Sequence, residues 1–230
     1  FEQNIDPVFV NTAVEQVNLM GLHESQSRFY ENIIGRSEAF ISLIFPKIKE
    51  LFPEQFENVT AHDFYLAVNK AEPSLIRTEA DELTYSMHIM VRYEIEKRLM
   101  DGSLSTKDLP NEWNRLYKEY LGIDVPCDSM SCLQDSHWSG GALGYFPSYS
   151  LGSAYGAQFL HKMKQDIDID KLVSENRIDE VTAWLTEKIH KYGMLLTPAQ
   201  LIENACGEEF NADYYIEYLT EKYKKIYDLK

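Results

Sequence analysis

The stretch Gly21-Leu22-His23-Glu24-Ser25-Gln26-Ser27-Arg28-Phe29-Tyr30-Glu31-Asn32 gathers an imidazole, two carboxylates, two amides and a guanidinium within about three helical turns. A solvated helix face carries charges but seldom interleaves them with His, Gln and aromatic rings beside a Gly. Two chemistries are open. Glu24 is a metal ligand, or Glu24 or Glu31 forms a structural ion pair with Arg28 on one helix face. A zinc-protease H-E-x-x-H helix needs a second imidazole four residues after the first. That position is Ser27, so Glu24 can act only as one ligand of a set completed from another helix.

Ile76-Arg77-Thr78-Glu79-Ala80-Asp81 is the second candidate. An Arg at the start of a helix can hold a carboxylate through two donors, or it can pair with Asp81 one turn on. His88 falls on an otherwise apolar face and reads as a satisfied core histidine. The third candidate is Gln134-Asp135-Ser136-His137-Trp138, followed by Gly140-Gly141-Ala142-Leu143-Gly144-Tyr145-Phe146-Pro147-Ser148-Tyr149. His137 can donate to an oxyanion with Asp135 fixing its tautomer, and a Tyr can donate without a charge of its own. The bland alternative is a tightly packed turn whose glycines allow helices to approach.

Helices must position these groups. Apolar spacing predicts one helix over 8–20 and a helical run over 23–45 with Gly35 inside it and Pro46 closing it. A short helix over 60–70 follows, with Thr60 as N-cap and Asp63 three residues on. After Pro73, an extended lead-in at 74–78 precedes a helix over about 79–100, which Asp101-Gly102 ends. Ser105 or Thr106 to Asp108 reads as a capped short helix. Leu109-Pro110 opens another that runs to Leu121 and stops at Gly122. Residues 122–147 form the irregular, Gly-rich loop. Helical spacing returns over 149–166, 178–192, 198–206 (Pro198 after Thr197) and 212–229. No internal repeat and no run of alternating strands interrupts this, so the class is mainly α, and 1–230 reads as a single helical domain.

With 37 acidic against 22 basic residues and a formal charge of −15, the chain lacks the basic footprint that nucleic acid or anionic lipid requires. No apolar run reaches the length of a membrane helix. Three cysteines, Cys127, Cys132 and Cys206, without a C-x-x-C pair fit a reducing compartment better than a disulfide scaffold. A carboxylate-bridged di-metal bundle needs paired E-x-x-H motifs, and Glu187-Lys188-Ile189-His190 has that spacing alone, since His62, His88 and His161 have no Glu three residues before them.

Taken together, His23-Glu24-Ser25-Gln26, Ile76-Arg77-Thr78-Glu79-Ala80-Asp81 and Gln134-Asp135-Ser136-His137-Trp138 resemble, in order and separation, the thermostable (Taq-type) carboxypeptidase family of zinc metallopeptidases. The flanking Met87-His88-Ile89 and Gly144-Tyr145-Phe146-Pro147 agree, and the resemblance covers essentially the whole chain. Two features depart from the family pattern. Ser131 stands where the third block usually begins with Gly, and a positive φ there would strain a Ser. The family's H-E-x-x-H helix is absent from the 230 residues, which start with Phe1 rather than Met. The expectation is that the chain is the C-terminal portion of a longer catalytic domain, starting just after that motif.

The resemblance implies a multi-helix metallopeptidase fold and a cytoplasmic enzyme that releases C-terminal residues from peptides by metal-activated water. Glu24 would be the third ligand of one zinc or other divalent ion. His23, Gln26, Asp81, Gln134 and Asp135 would support the site from behind. Arg77 would hold the free carboxylate of the peptide, or order the site with Asp81. His137 and Tyr145, with Tyr149 as the alternative to Tyr145, would donate to the oxyanion of the tetrahedral intermediate. The implied partners are peptide substrates, the upstream half of the same enzyme and a second copy in a homodimer. By itself the chain is expected to be inactive and to bind zinc poorly. A non-catalytic helical interaction module that keeps the scaffold is the alternative.

Overall fold

A computed structural model describes residues 1–15 and 20–230, and these are helical with no strand among them. No helix among them is long and apolar enough to cross a membrane. The chain divides into two compact units, residues 1–69 with 151–230 and residues 70–150.

In the first unit the helix expected over 8–20 does not form across residues 7–15. Asp6 caps a 3-10 turn at Pro7–Phe9, and Asn11 then takes φ 62°, a left-handed conformation that breaks helical continuation. Residues 16–19 of that expectation lie outside the described residues. Helix α1 (Met20–Arg28) runs into a π-helical segment, Phe29–Ile34, closed by Gly35 N donating to Tyr30 O at 2.8 Å. Ser37 then caps α2 (Glu38–Leu51) through the Phe40 amide, so the expected 23–45 run is two helices. Pro46 lies inside α2 instead of ending it. A proline there removes one backbone bond. Phe45 beside it is buried among Phe56 and Phe64, with ring centroids at 5.9 and 5.7 Å, and this packing carries the helix past the gap. Helix α3 (Ala61–Val68) begins as predicted, with a reciprocal capping box between Thr60 and Asp63.

Two further helices of this unit have bounds that differ little from expectation, α9 (Pro198–Cys206), capped by Thr197 and Gln200, and α10 (Asp213–Tyr227). Helix α6 (Pro147–Asp166) gives residues from Leu151 onward to the unit. The short α7 (Ile169–Ser174) was not read from the sequence. The 178–192 segment divides into α8 (Ile178–Lys188) and a 3-10 turn at His190–Tyr192. Leu22, Phe29, Phe159, Met163, Val181, Leu185, Ile189 and Leu201 form the centre of this unit's core.

In the second unit a 3-10 turn at Arg77–Glu79 precedes α4, which starts at Tyr85 and not at 79, and ends at Met100. The reason is local. Asp81 accepts from the Thr84 amide at 2.9 Å and from its hydroxyl at 2.7 Å, a side-chain turn that competes with helix. Residues 106–108 are a turn rather than a short helix, because the Ser105–Asp108 side-chain bond leads directly into α5 (Leu109–Leu121). Helix α5 stops at Gly122, φ 73°. It packs Trp113, Leu116, Tyr117 and Leu121 against Val91 and Ile95 of α4. Residues 122–146 are extended segments and turns, with one 3-10 turn at Asp128–Met130.

Candidate active site

Glu24 sits half-buried on α1, with Oε2 accepting from the Ser27 hydroxyl at 3.0 Å. The helix there is seated against α6. A Cβ on Gly152 would lie 2.7 Å from the Glu24 carbonyl carbon and 2.8 Å from Ser25 N, so only a glycine admits this approach. Arg28 pairs with Glu31 at 2.9 Å and donates to Ser153. The ion pair left open by the sequence therefore uses Glu31. His23 packs edge-on to Phe1, and its Nε2 is buried without a partner. Burial first of all lowers its pKa. Gln26 is directed elsewhere. It accepts from His190 Nε2 at 2.8 Å and donates to Ser25 Oγ.

In the second unit Asp135 is held by two arginines. Arg77, 6% exposed, gives Nε and Nη2 to Asp135 Oδ1 at 3.0 and 2.7 Å. Arg92, fully buried, gives Nε to Oδ2 at 2.8 Å, and its Nη2 also donates to Oδ2. Burial pushes the Asp135 carboxyl up, but Arg92 and Arg77 outweigh it and hold it below the ordinary range. Arg77 is therefore not paired with Asp81, which is spent on Thr84 and on the Glu72 amide. Its third contact is Nη1 to Tyr85 Oη at 3.0 Å, and its guanidinium lies 4.9 Å from the centre of the Tyr149 ring. Gln134 Oε1 accepts from Arg77 N and Arg92 Nη2, both at 2.9 Å, and its amide donates to Leu75 O.

His137 follows Asp135 in the same loop. Its Nε2 meets Tyr149 Oη at 3.1 Å and its ring lies 4.4 Å from Phe146 and 5.6 Å from Tyr145. Its Nδ1 is buried without a hydrogen bond, 4.0 Å from Asp135 Oδ1. Burial first, then the Arg77 charge, lowers its pKa, so the imidazole is neutral near pH 7. Ser131 has φ −118°, so the serine at this position carries no left-handed strain.

The structure thus brings Arg77, Gln134, Asp135, His137, Tyr145 and Tyr149 together in the second unit, while His23, Glu24 and Gln26 belong to the first. A carboxylate such as Glu24 suits one position around a divalent ion. Among the described residues, no group of three or more His, Cys, Asp and Glu is placed to hold a metal. The chain's donors fit a metal as a contribution to a site and do not make a complete one.

The family model described as Carboxypeptidase Taq (M32) metallopeptidase matches residues 1–223. The chain belongs to the Taq (M32) carboxypeptidase family. It is 46% identical to Carboxypeptidase 1 of Bacillus subtilis over 228 residues, which is 99% of this chain and 46% of that relative. An M32 carboxypeptidase from Deinococcus radiodurans R1 superposes with a TM-score of 0.93 at 38% identity, over 99% of this chain and 46% of that one. A Pyrococcus furiosus carboxypeptidase structure called Apo-Mg gives 0.92 at 42% identity, over 96% and 45%. The chain thus spans about half the length of the relatives it matches. Membership in this metallopeptidase family implies a divalent metal.

Sequence reasoning missed Arg92 and Glu96. Both are buried on α4, and Glu96 accepts from Trp138 Nε1 at 2.7 Å and from Gly144 N at 3.2 Å. The available signal was their spacing from Tyr85 and His88 by helical turns, which puts two charges on the face that buries Ile89.

Proposed function

We propose that the protein carrying this chain is a zinc carboxypeptidase that releases single residues from the free C-termini of peptides. The chain would form the C-terminal portion of a longer catalytic domain. The observation that carries this reading is the pairing of His137 with Tyr149 above the Arg77–Asp135–Arg92 clamp. The clamp fixes Asp135, and the neutral imidazole and the phenol share one hydrogen bond. His137 and Tyr149, joined by that bond, would donate to a developing oxyanion; Tyr145, against the same ring, is the alternative to Tyr149. Arg77 serves the peptide's terminal carboxylate as a fixed positive charge, because three of its donors already bind Asp135 and Tyr85. Glu24 is one ligand of the metal, and His23 stands beside it. When bound, the metal polarises the scissile carbonyl and acidifies water.

The intact enzyme is proposed to act as a homodimer in the cytoplasm, a location supported by three free cysteines. Two comparisons test the proposal on that enzyme. A blocked dipeptide with a free C-terminus should be cleaved and its C-terminal amide spared; equal rates would remove the carboxypeptidase reading. Glu24→Gln should lose metal and activity together, and retained metal stoichiometry would remove the ligand assignment. Zinc itself is tested by adding back single divalent ions to the metal-free enzyme.

A further inference from the structure

The loop that carries His137 is not held by its own backbone alone. On its N-terminal side, Arg92 holds both Asp135 Oδ2 and Gln134 Oε1. On its C-terminal side, Glu96 takes the Trp138 indole N–H and the Gly144 amide. Arg92 and Glu96 are four residues apart on α4 and therefore stacked on one face. His137 lies between the two attachment points. Arg92 also lies against the ring on which the imidazole packs. The Arg92 guanidinium lies 5.2 Å from the centre of Phe146 and 4.6 Å from that of Trp113, and Phe146 is the ring against which His137 rests. Gly144, at φ 75°, supplies the amide that Glu96 holds, in a conformation a side chain resists.

We propose that Arg92 and Glu96 are positioning residues for His137, a two-point anchor from α4 that fixes the ring's direction and tautomer. Neither touches the imidazole. Arg92 acts by locking Asp135, whose Oδ1 remains engaged by Arg77 and stands 4.0 Å from His137 Nδ1, beyond a hydrogen bond. The proton of His137 is thereby directed to the Tyr149 side. The anchor rests on the reading of His137 as an oxyanion donor for its consequence in catalysis, but its effect on the imidazole stands apart from that reading.

The test uses two conservative variants. Arg92→Lys keeps the charge and loses the fork; Glu96→Gln keeps the shape and can accept from only one of the two donors. The first measurement is the imidazole nitrogen spectrum of the 230-residue chain across pH, with His137→Gln to assign the signal. The expected result is a changed tautomer ratio in both variants, with the His137 pKa moved up toward its ordinary value in Arg92→Lys as the loop admits water. In Glu96→Gln the lost carboxylate, which raises that pKa, opposes the shift, and the tautomer ratio is the readout. In the intact enzyme, kcat should fall ~10- to 100-fold in Arg92→Lys with KM within about threefold, and less in Glu96→Gln. An unchanged His137 signal in both variants, whatever happens to melting temperature, overturns the proposal. A shifted His137 signal with unchanged peptide cleavage upholds the anchor and removes the catalytic role of His137. If Arg92→Lys does not fold, the milder Glu96→Gln decides the outcome by the same signal.

Discussion

Gly152 of α6 is in van der Waals contact with the backbone of Glu24, so close that an added Cβ would stand 2.7 Å from both the carbonyl carbon and the Cβ of Glu24. Gly156, one turn on, has ordinary space, with its nearest neighbours at 3.5 Å (Ser25 O) and 3.6 Å (Ile33 Cδ1). Two alanine substitutions on one helix should therefore have opposite signs. Gly152→Ala should destabilise by about 1–3 kcal/mol through overpacking. Gly156→Ala should be neutral or stabilising by up to about 1 kcal/mol through helix propensity. Thermal unfolding of both variants checks this, and equal losses would mean that the approach of α1 to α6 is not set at Gly152.

Asp135 bears on the low end of the pH scale. Its carboxyl is held below the ordinary 3.8 in the folded state by Arg92 and Arg77 acting against burial. The stability it contributes is therefore fully present above that ordinary value and is lost as pH falls below it through the folded-state pKa. Asp135→Asn at pH 7 leaves two buried guanidinium groups without their carboxylate and should cost about 3–5 kcal/mol. The difference between variant and parent should shrink in acid, where the parent's carboxyl is also neutral. A gap in denaturation midpoint that stays constant from pH 7 to pH 2 would contradict the assignment.

His88 acts over a higher window. It is fully buried, bonded to Tyr117 Oη, and its pKa is lowered from 6.5 to about 3 by burial first, then by Arg92 and Arg77. The unfolded chain binds this proton below pH 6.5 and the folded chain does not until about pH 3. Stability therefore falls with decreasing pH across that interval, by up to about 1.4 kcal/mol per pH unit. His88→Gln should flatten the slope of unfolding free energy between those limits. Equal slopes would show that His88 is charged in the native state.

Metal affinity separates a contributed ligand from a complete site. With no cluster of three donors among the described residues, the 230-residue chain titrated with zinc should show no binding tighter than the micromolar range, because one carboxylate and one imidazole cannot enclose the ion. Calorimetry in a weakly coordinating buffer checks this. A nanomolar site lost in Glu24→Gln would mean that this chain supplies the remaining ligands itself.

What could be read in advance followed rules that act over three or four residues. The capping boxes at Thr60–Asp63 and Thr197–Gln200, and the Pro110 start and Gly122 stop of α5, are side-chain-to-backbone bonds written in adjacent residues. Pro46 was read by the same local rule, and the rule lost to the burial of Phe45. Arg77 shows the limit more sharply. Its neighbour by spacing was Asp81, but its partner is Asp135, 58 residues away, and Asp81 serves its own turn. Arg92 carried only its helical spacing from Tyr85 and His88, which does not show its partner, since its burial depends on α5 and on the loop from Gln134 to Phe146. The candidate residues were legible because their types are unusual together. Their pairings were not, because these are made by the fold.

The π-helical segment at Phe29–Ile34 has a consequence for length. Its closing bond, Gly35 N to Tyr30 O, spans five residues where an α-helix spans four. One residue more than an α turn needs is therefore stored between Arg28 and the Ser37 cap. Removing a residue there would let the segment revert to α-helix, with the change absorbed in hydrogen-bond spacing instead of broken cores on either side. Residues 29–34 are thus the place where α1 can gain or lose a position while Glu24 and Gly152 keep their contact.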